Sequence, residues 1–181
     1  MSSTSFRFRV GDRVVYPNHG VGTIETIRPD RAGEGEYYLL HISTSNLRVL
    51  VPRANADTVG LRPVSAAADL LPVLRYLEQA GNGNAAARSD WKTRFRENSI
   101  KLRGGALQQV AEVLKGLAQL HTAKRLSTRE KKMLDRAALL LASELACAQA
   151  LSLEDALSRL QSSLAKAQLT LPPLNSEEVA S

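Results

Sequence analysis

The chain has 181 residues, of which 44% are apolar, and its formal net charge is +6. This length suits one domain or two small ones, and the apolar fraction is high enough for a packed core. The single cysteine, Cys147, excludes an intrachain disulfide and a cysteine cluster for metal. The first ten residues lack the apolar run of a secretory signal, and no stretch is apolar for long enough to span a bilayer. We therefore expect a cytoplasmic protein with no membrane contact.

Residues 1–64 are predicted to form a small β domain. Four short segments are rich in β-branched and aromatic residues and are separated by Gly, Pro, Asn and Asp. The predicted strands are Arg13–Tyr16, Gly22–Ile27, Tyr37–Ile42 and Leu47–Val51. Their spacing favours an antiparallel barrel of four or five strands, with residues 31–36 at a hairpin tip. A barrel this small encloses no ligand and presents a face or an edge to a partner.

From about residue 66 the apolar residues recur with the helical period, which predicts a compact all-α domain over residues 66–168. The first of about five helices has an apolar face made of Leu70, Leu71, Leu74 and Leu77. Ser89 or Asp90 can cap the second helix, which ends at Gly104-Gly105. A third helix is predicted from Ala106 to about Thr122. The whole chain is thus predicted to be α+β, with the strands first and the helices second.

Two further caps predict the remaining helices. Ser127-Thr128-Arg129-Glu130 has the spacing in which the serine hydroxyl and the glutamate carboxylate each accept a backbone hydrogen bond, so a fourth helix is predicted there. Ser152-Leu153-Glu154-Asp155 predicts the start of a fifth. Residues 169–181 contain a Pro-Pro pair and are predicted to form a flexible tail.

The positive charge is concentrated in two windows, Arg88–Arg103 and Lys124–Arg136. Each window holds six Lys or Arg residues and two acidic residues, a net +4, so the rest of the chain is net negative. Such clustering is typical of contact with a polyanion, and two solvated helix faces are the alternative. Trp91, the single tryptophan, lies in the first window among cations. It is either a core residue or an exposed ring that can insert between bases while the cations hold phosphates.

Residues that could support catalysis do not cluster in the sequence. His19, His41 and His121 are dispersed, and none has the spacing of a metal-binding pair. Neither a complete phosphate-binding or dinucleotide-binding glycine loop nor a nucleophile elbow is present. We therefore expect a binding protein rather than an enzyme, with no cofactor and no metal.

Several ordered motifs resemble the CarD/CdnL family of bacterial transcription regulators, over about Phe8 to Leu164. In the first half these are Phe8 to Gly22, Val51-Pro52 and Val59-Gly60-Leu61-Arg62. In the second half they are Trp91 to Leu102, Val110 to Leu114, Leu126 to Ala137 and Glu144-Leu145-Ala146. The first half is also similar to the polymerase-interacting domain of the transcription-repair coupling factor. The second half separates the two families.

The resemblance implies a Tudor-like domain that docks on the RNA polymerase β subunit and a helical domain that lies over promoter DNA. The implied polymerase-binding residues are Leu39, Arg48, Leu50 and Pro52. Trp91 matches the wedge tryptophan of the family, and Arg94, Arg96 and Lys101 match basic positions beside it. The charge windows add Arg88, Lys92, Arg103, Lys131 and Lys132 to the predicted DNA-binding residues.

The predicted function is stabilisation of the open promoter complex by a monomer that makes sequence-nonspecific minor-groove contact at the upstream edge of the melted region. A general basic nucleic-acid-binding protein that acts without polymerase is the first alternative. The second is an adaptor in which Trp91 anchors a protein interface.

Overall fold

The computed structural model describes residues 7–29, 35–80 and 90–174. It shows a five-stranded antiparallel sheet followed, within these residues, by five α-helices, which confirms the predicted α+β fold. Several predictions lie outside the described residues. They concern Arg88, the alternative cap Ser89, most of the 31–36 hairpin tip and the end of the tail.

The strands are β1 (Arg13–Tyr16), β2 (Gly20–Pro29), β3 (Glu36–Ile42), β4 (Leu47–Pro52) and β5 (Arg62–Pro63). They are ordered β4-β3-β2-β1-β5, and all neighbouring strands are antiparallel. The four predicted strands are confirmed. The strand β5 was not predicted because two residues are too few to show an alternating pattern.

Alternation along the strands places one face of the sheet in a core and leaves the other accessible. The buried cluster of this β domain contains Phe8, Val14, Ile24, Tyr38, Leu40, Val51, Ala56 and Leu61. The Tyr38 hydroxyl accepts a hydrogen bond from the Phe8 backbone N–H at 3.2 Å. This gives the buried tyrosine a polar partner and fixes the chain where it enters β1.

The helices are α1 (Ala67–Glu78), α2 (Trp91–Gly104), α3 (Leu107–Ala123), α4 (Thr128–Gln149) and α5 (Leu153–Lys166). The capping box at Ser127 and Glu130 forms as predicted, and Ser152 caps α5. Asp90 is the N-cap residue of α2, although its side chain makes no capping hydrogen bond. Gly105 ends α2 with a φ of 68°, a conformation that glycine adopts without strain.

Two sequence predictions differ from the structure of the helical domain. Leu71 was expected in the core, but it is exposed, and Val73 is buried with the other three leucines of α1. The cause is helical phase, because Leu71 lies about 100° around the helix from Leu70. The start of the expected tail also packs: Leu169 is buried, and Leu171 and Leu174 lie against the helical core.

No single helix in the described ranges is long and apolar enough to cross a membrane. The helices α4 and α5 are long and apolar enough only when they are taken together, and they meet at a bend of 114°. Each buries one face in the helical core, and α4 also packs against β2. The helix α4 therefore joins the β domain to the helical domain.

Candidate nucleic-acid interface and docking edge

Trp91 is the first residue of α2, and its side chain lies outside the helical core. It is 50% exposed and lines an open cleft of about 670 Å³ with the loop between α3 and α4 and the start of α4. The other side chains around this cleft include Lys124, Arg125 and Leu126. The ring is thus accessible to a ligand, in a cleft that is lined by three cations, Arg129 being the third, and by one carboxylate, that of Glu130.

Cations from two helices form one exposed basic surface. Lys92, Arg96 and Arg103 share one side of α2, because residues four and seven apart lie on the same helical face. Arg129, Lys132 and Arg136 share one side of α4 for the same reason. All six are exposed. We call these six residues the basic face.

A groove of about 680 Å³ separates the two parts of the basic face. Arg103 lines it from α2, and Arg129, Lys132 and Arg136 line it from α4, above apolar side chains that include Phe95. Among the described residues that line this groove, none is acidic. The groove can therefore hold the phosphates of a polyanion without a repelling carboxylate.

Two exposed cations were missing from the predicted DNA-binding residues, and one predicted cation makes contacts within the protein. Arg129 and Arg136 lie in the second charge window but were not selected, although their spacing from Lys132 would have placed all three on one face. Lys131 was selected, but it is partly buried, and its ammonium donates a hydrogen bond to the Pro173 carbonyl at 2.9 Å. It also lies 3.8 Å from the Asp135 carboxylate, so its charge is committed to contacts within the protein.

Arg94 was expected in the DNA-facing patch, but the structure places it between helices. It is only 8% exposed, and its guanidinium donates a hydrogen bond to the Glu130 carboxylate at 2.8 Å. Arg94 therefore ties the helix of Trp91 to the start of α4 instead of facing solvent. Lys101 is also engaged, in an ion pair with Glu112 at 2.8 Å, but it keeps part of its surface exposed.

The groups around Glu130 lower the pKa of its carboxyl. Burial alone raises the pKa of this carboxyl, but the hydrogen bonds from Arg94 and Ser127 and the charge of Arg94 outweigh burial and hold the pKa at about 2. Because the folded-state pKa is depressed, the ionised carboxylate stabilises the fold above the unfolded-state pKa. This contribution is lost as the pH falls toward the folded-state pKa.

Replacing Glu130 with glutamine should therefore lower stability at neutral pH by up to about 3 kcal/mol and flatten its acid dependence. Glutamine still fits the capping box but removes the negative charge that faces the Arg94 guanidinium. Urea unfolding from pH 7 down to pH 2.5 measures both effects. Glu154→Gln, at an exposed position in the first turn of α5, is the control. Equal acid sensitivity of wild type and Glu130→Gln would contradict this interpretation.

The four predicted polymerase-binding residues lie together on the edge of the sheet. Leu39 of β3 and Leu50 of β4 are direct cross-strand partners, and Leu50 is 57% exposed. Arg48 lies on the same outer face, and Pro52 ends the strand. Within the described residues β4 pairs only with β3, so its other side is a free strand edge.

Arg48 is held in place by a carboxylate that sequence analysis did not identify. Its guanidinium donates hydrogen bonds to both Glu25 carboxylate oxygens, at 3.0 and 3.3 Å. Glu25 lies at a register shift between β2 and β3, where the strand carries one extra residue. The bulge turns this carboxylate toward the docking edge, which we define as Leu39, Arg48, Leu50 and Pro52.

Among the described residues, no group of three or more His, Cys, Asp or Glu side chains could hold a metal ion. The features that stand out are instead the docking edge on a small β domain and the basic face with its projecting ring on a helical domain. This is the layout of a two-part binding protein, with one surface suited to a protein partner and another to a polyanion.

Comparison with known proteins agrees with this class. Residues 8–65 match the family model described as the CarD-like/TRCF RID domain, and residues 73–161 match the CarD C-terminal domain. The chain is also 36% identical over 140 residues to a Bacillus subtilis (strain 168) protein named "Putative transcription factor YdeB". That similarity covers 76% of this chain and 90% of the relative. The chain belongs to the CarD family.

Family membership implies a general role. CarD-like proteins take part in transcription regulation that involves RNA polymerase, and they are not known as enzymes. The amino-terminal domain is of a type that interacts with the polymerase β subunit.

Proposed function

We propose that this protein docks on the RNA polymerase β subunit through its docking edge and stabilises the open promoter complex with Trp91. The observation that carries the proposal is the exposure of this ring at the start of α2, beside the basic face. The protein would act in the cytoplasm, as a monomer bound to polymerase at a promoter.

The docking edge suits a protein partner because it combines apolar surface with free backbone groups. Leu39 and Leu50 form an apolar pair on the outer face of the sheet. The side of β4 that pairs with no other described strand offers N–H and C=O groups to which a strand of the partner can bind. Arg48, oriented by Glu25, adds a directional charged contact at the rim.

Trp91 would favour open promoter DNA because only separated strands leave room for the ring. Inserting an aromatic side chain into the minor groove unstacks a base step, which costs a few kcal/mol in intact duplex and less where the step is already distorted. The edge of the melted region is such a place. The shift toward the open complex is limited by the difference between the protein's affinities for open and closed DNA.

The basic face would supply affinity without sequence preference. Replacing Arg96 and Arg103 together with alanine should weaken binding to every DNA sequence similarly and reduce the slope of log affinity against log salt by about two. Titrations of forked DNA at several salt concentrations measure this slope. Arg75→Ala, at an exposed site on α1, should leave it unchanged. A loss of affinity confined to particular sequences would contradict phosphate contact.

Direct binding to polymerase separates this proposal from the alternatives. Purified polymerase without DNA should retain the protein as salt rises, because the contact at the docking edge is largely apolar. A general nucleic-acid-binding protein would not bind the polymerase alone and would release DNA as salt rises. If Trp91 instead anchors a protein interface, its fluorescence should be unaffected by forked DNA. Quenching by that DNA supports the wedge.

A further inference from the structure

The β domain and the helical domain meet at a partly buried ion pair that the proposed function has not used. The Arg62 guanidinium, from β5, donates two hydrogen bonds to the Glu144 carboxylate of α4, at 2.7 and 2.9 Å. The Glu144 side chain is only 4% exposed. A two-point contact between an arginine and a carboxylate fixes direction as well as distance, which a single contact does not.

The same pair also reaches the helix that carries Trp91. Arg62 donates a further hydrogen bond, at 3.0 Å, to the carbonyl of Gly105, the residue that ends α2. Glu144 accepts another from the Ser65 backbone N–H at 2.9 Å, in the segment that leaves β5. Arg62 and Glu144 thus connect the last strand of the sheet to the end of α2 and the middle of α4.

Packing is close around the pair, where the turn between β1 and β2 meets the end of α2 and the side of α4. A Cβ atom on Gly105 would come within 3.1 to 3.3 Å of Pro17, which lies in the turn between β1 and β2. A Cβ atom on Gly20 would come within 3.0 Å of the Ser143 hydroxyl on α4. The cavity lined by Gly20, Gly105 and Glu144 is about 10 Å³, close to the smallest space that holds one water molecule, whereas an open cleft of about 460 Å³ lies further along, between the sheet and the end of α4.

We propose that Arg62 and Glu144 are positioning residues, which fix the distance and direction from the docking edge to Trp91. This inference rests on the proposed function. With the domains held rigidly, docking on polymerase presents the ring at one place on the promoter. A loose junction would spread the ring over many positions and lower its effective concentration at the fork.

The main test compares single and double substitutions. Arg62→Gln leaves Glu144 buried without its charged partner, so it should destabilise the protein strongly. The double variant Arg62→Met with Glu144→Leu leaves no unpaired charge and should recover much of that stability. It still lacks the hydrogen bonds to Gly105 and Ser65. We expect it to shorten the open-complex lifetime by about tenfold while binding polymerase alone, and forked DNA alone, as wild type does.

A merely structural role predicts a different pattern. If the double variant recovers both stability and open-complex lifetime, the positioning role is wrong. Arg62→Lys keeps the charge but lacks the planar fork that makes two parallel hydrogen bonds to Glu144, and it should give an intermediate lifetime. Glu78→Gln removes a 2.7 Å ion pair with Lys166 inside the helical domain and should leave the lifetime unchanged. An equal effect of Glu78→Gln would also overturn the proposal.

Small-angle scattering distinguishes a failure of this inference from a failure of the proposed function. The double variant should show a broader distribution of interatomic distances than wild type, because its two domains are no longer fixed. An identical scattering profile would refute rigid positioning whatever the lifetimes show. If Trp91→Ala leaves the open-complex lifetime unchanged, the proposed function fails instead, and scattering still decides whether the pair fixes the domains.

Discussion

Replacing Trp91 with alanine is expected to shorten the open-complex lifetime by about tenfold or more, since about 1.4 kcal/mol of lost stabilisation suffices for a factor of ten. The ring is exposed and outside the helical core, so its removal should leave the fold intact. Binding to polymerase should also be unaffected, because the docking edge lies on the other domain. The lifetime is measured by challenge with a competitor after the open complex has formed.

Two further variants sharpen this experiment. Trp91→Phe keeps an aromatic ring of smaller area and should retain part of the effect. Ile100→Ala removes a comparably exposed apolar side chain from another side of the same helix and should leave the lifetime unchanged. If Trp91→Ala dissociated as slowly as wild type, the wedge role would have to be abandoned.

Leu50→Asp is expected to weaken binding to RNA polymerase by at least about 100-fold. An aspartate at this position would have to lose its water against an apolar or backbone-paired surface, which costs several kcal/mol for a charge without a partner. Because Leu50 is exposed in the free protein, the substitution should not unfold the β domain. Binding is measured with purified polymerase in the absence of DNA.

Leu71→Asp is the matched control, because it places the same charge on an exposed leucine of the helical domain. It should bind polymerase as wild type does. Undiminished binding of Leu50→Asp would show that polymerase does not contact this strand. Forked DNA should bind both variants equally, since neither leucine belongs to the basic face.

Patterns formed by residues close together in the sequence predicted most of the helices and strands. The capping box at Ser127 and Glu130 and the glycines at the end of α2 depend on residues a few positions apart, so they can be recognised without a tertiary structure. Leu39 and Leu50 were selected through the family resemblance, and the structure makes them cross-strand partners outside the buried cluster of the β domain. By contrast, β5 is defined by its pairing with β1, and two residues carry no period of their own.

The individual roles of the cations could not be predicted in the same way. Arg94 and Arg96 are two positions apart in one charge window, yet one is buried and the other exposed. The difference arises from Glu130, 36 residues further along the chain, which meets Arg94 only when α2 packs against α4. Glu25 was missed for a related reason, because a bulge depends on the register between two strands.

The most direct test of the central claim is a permanganate footprint of the open promoter complex with and without the protein. Permanganate reacts with unstacked thymines, so it reports strand separation at each position. We expect stronger reactivity at the upstream edge of the melted region with wild-type protein, and with Trp91→Ala the same pattern as without protein. An upstream edge that is the same with wild-type protein, with Trp91→Ala and with no protein would contradict it.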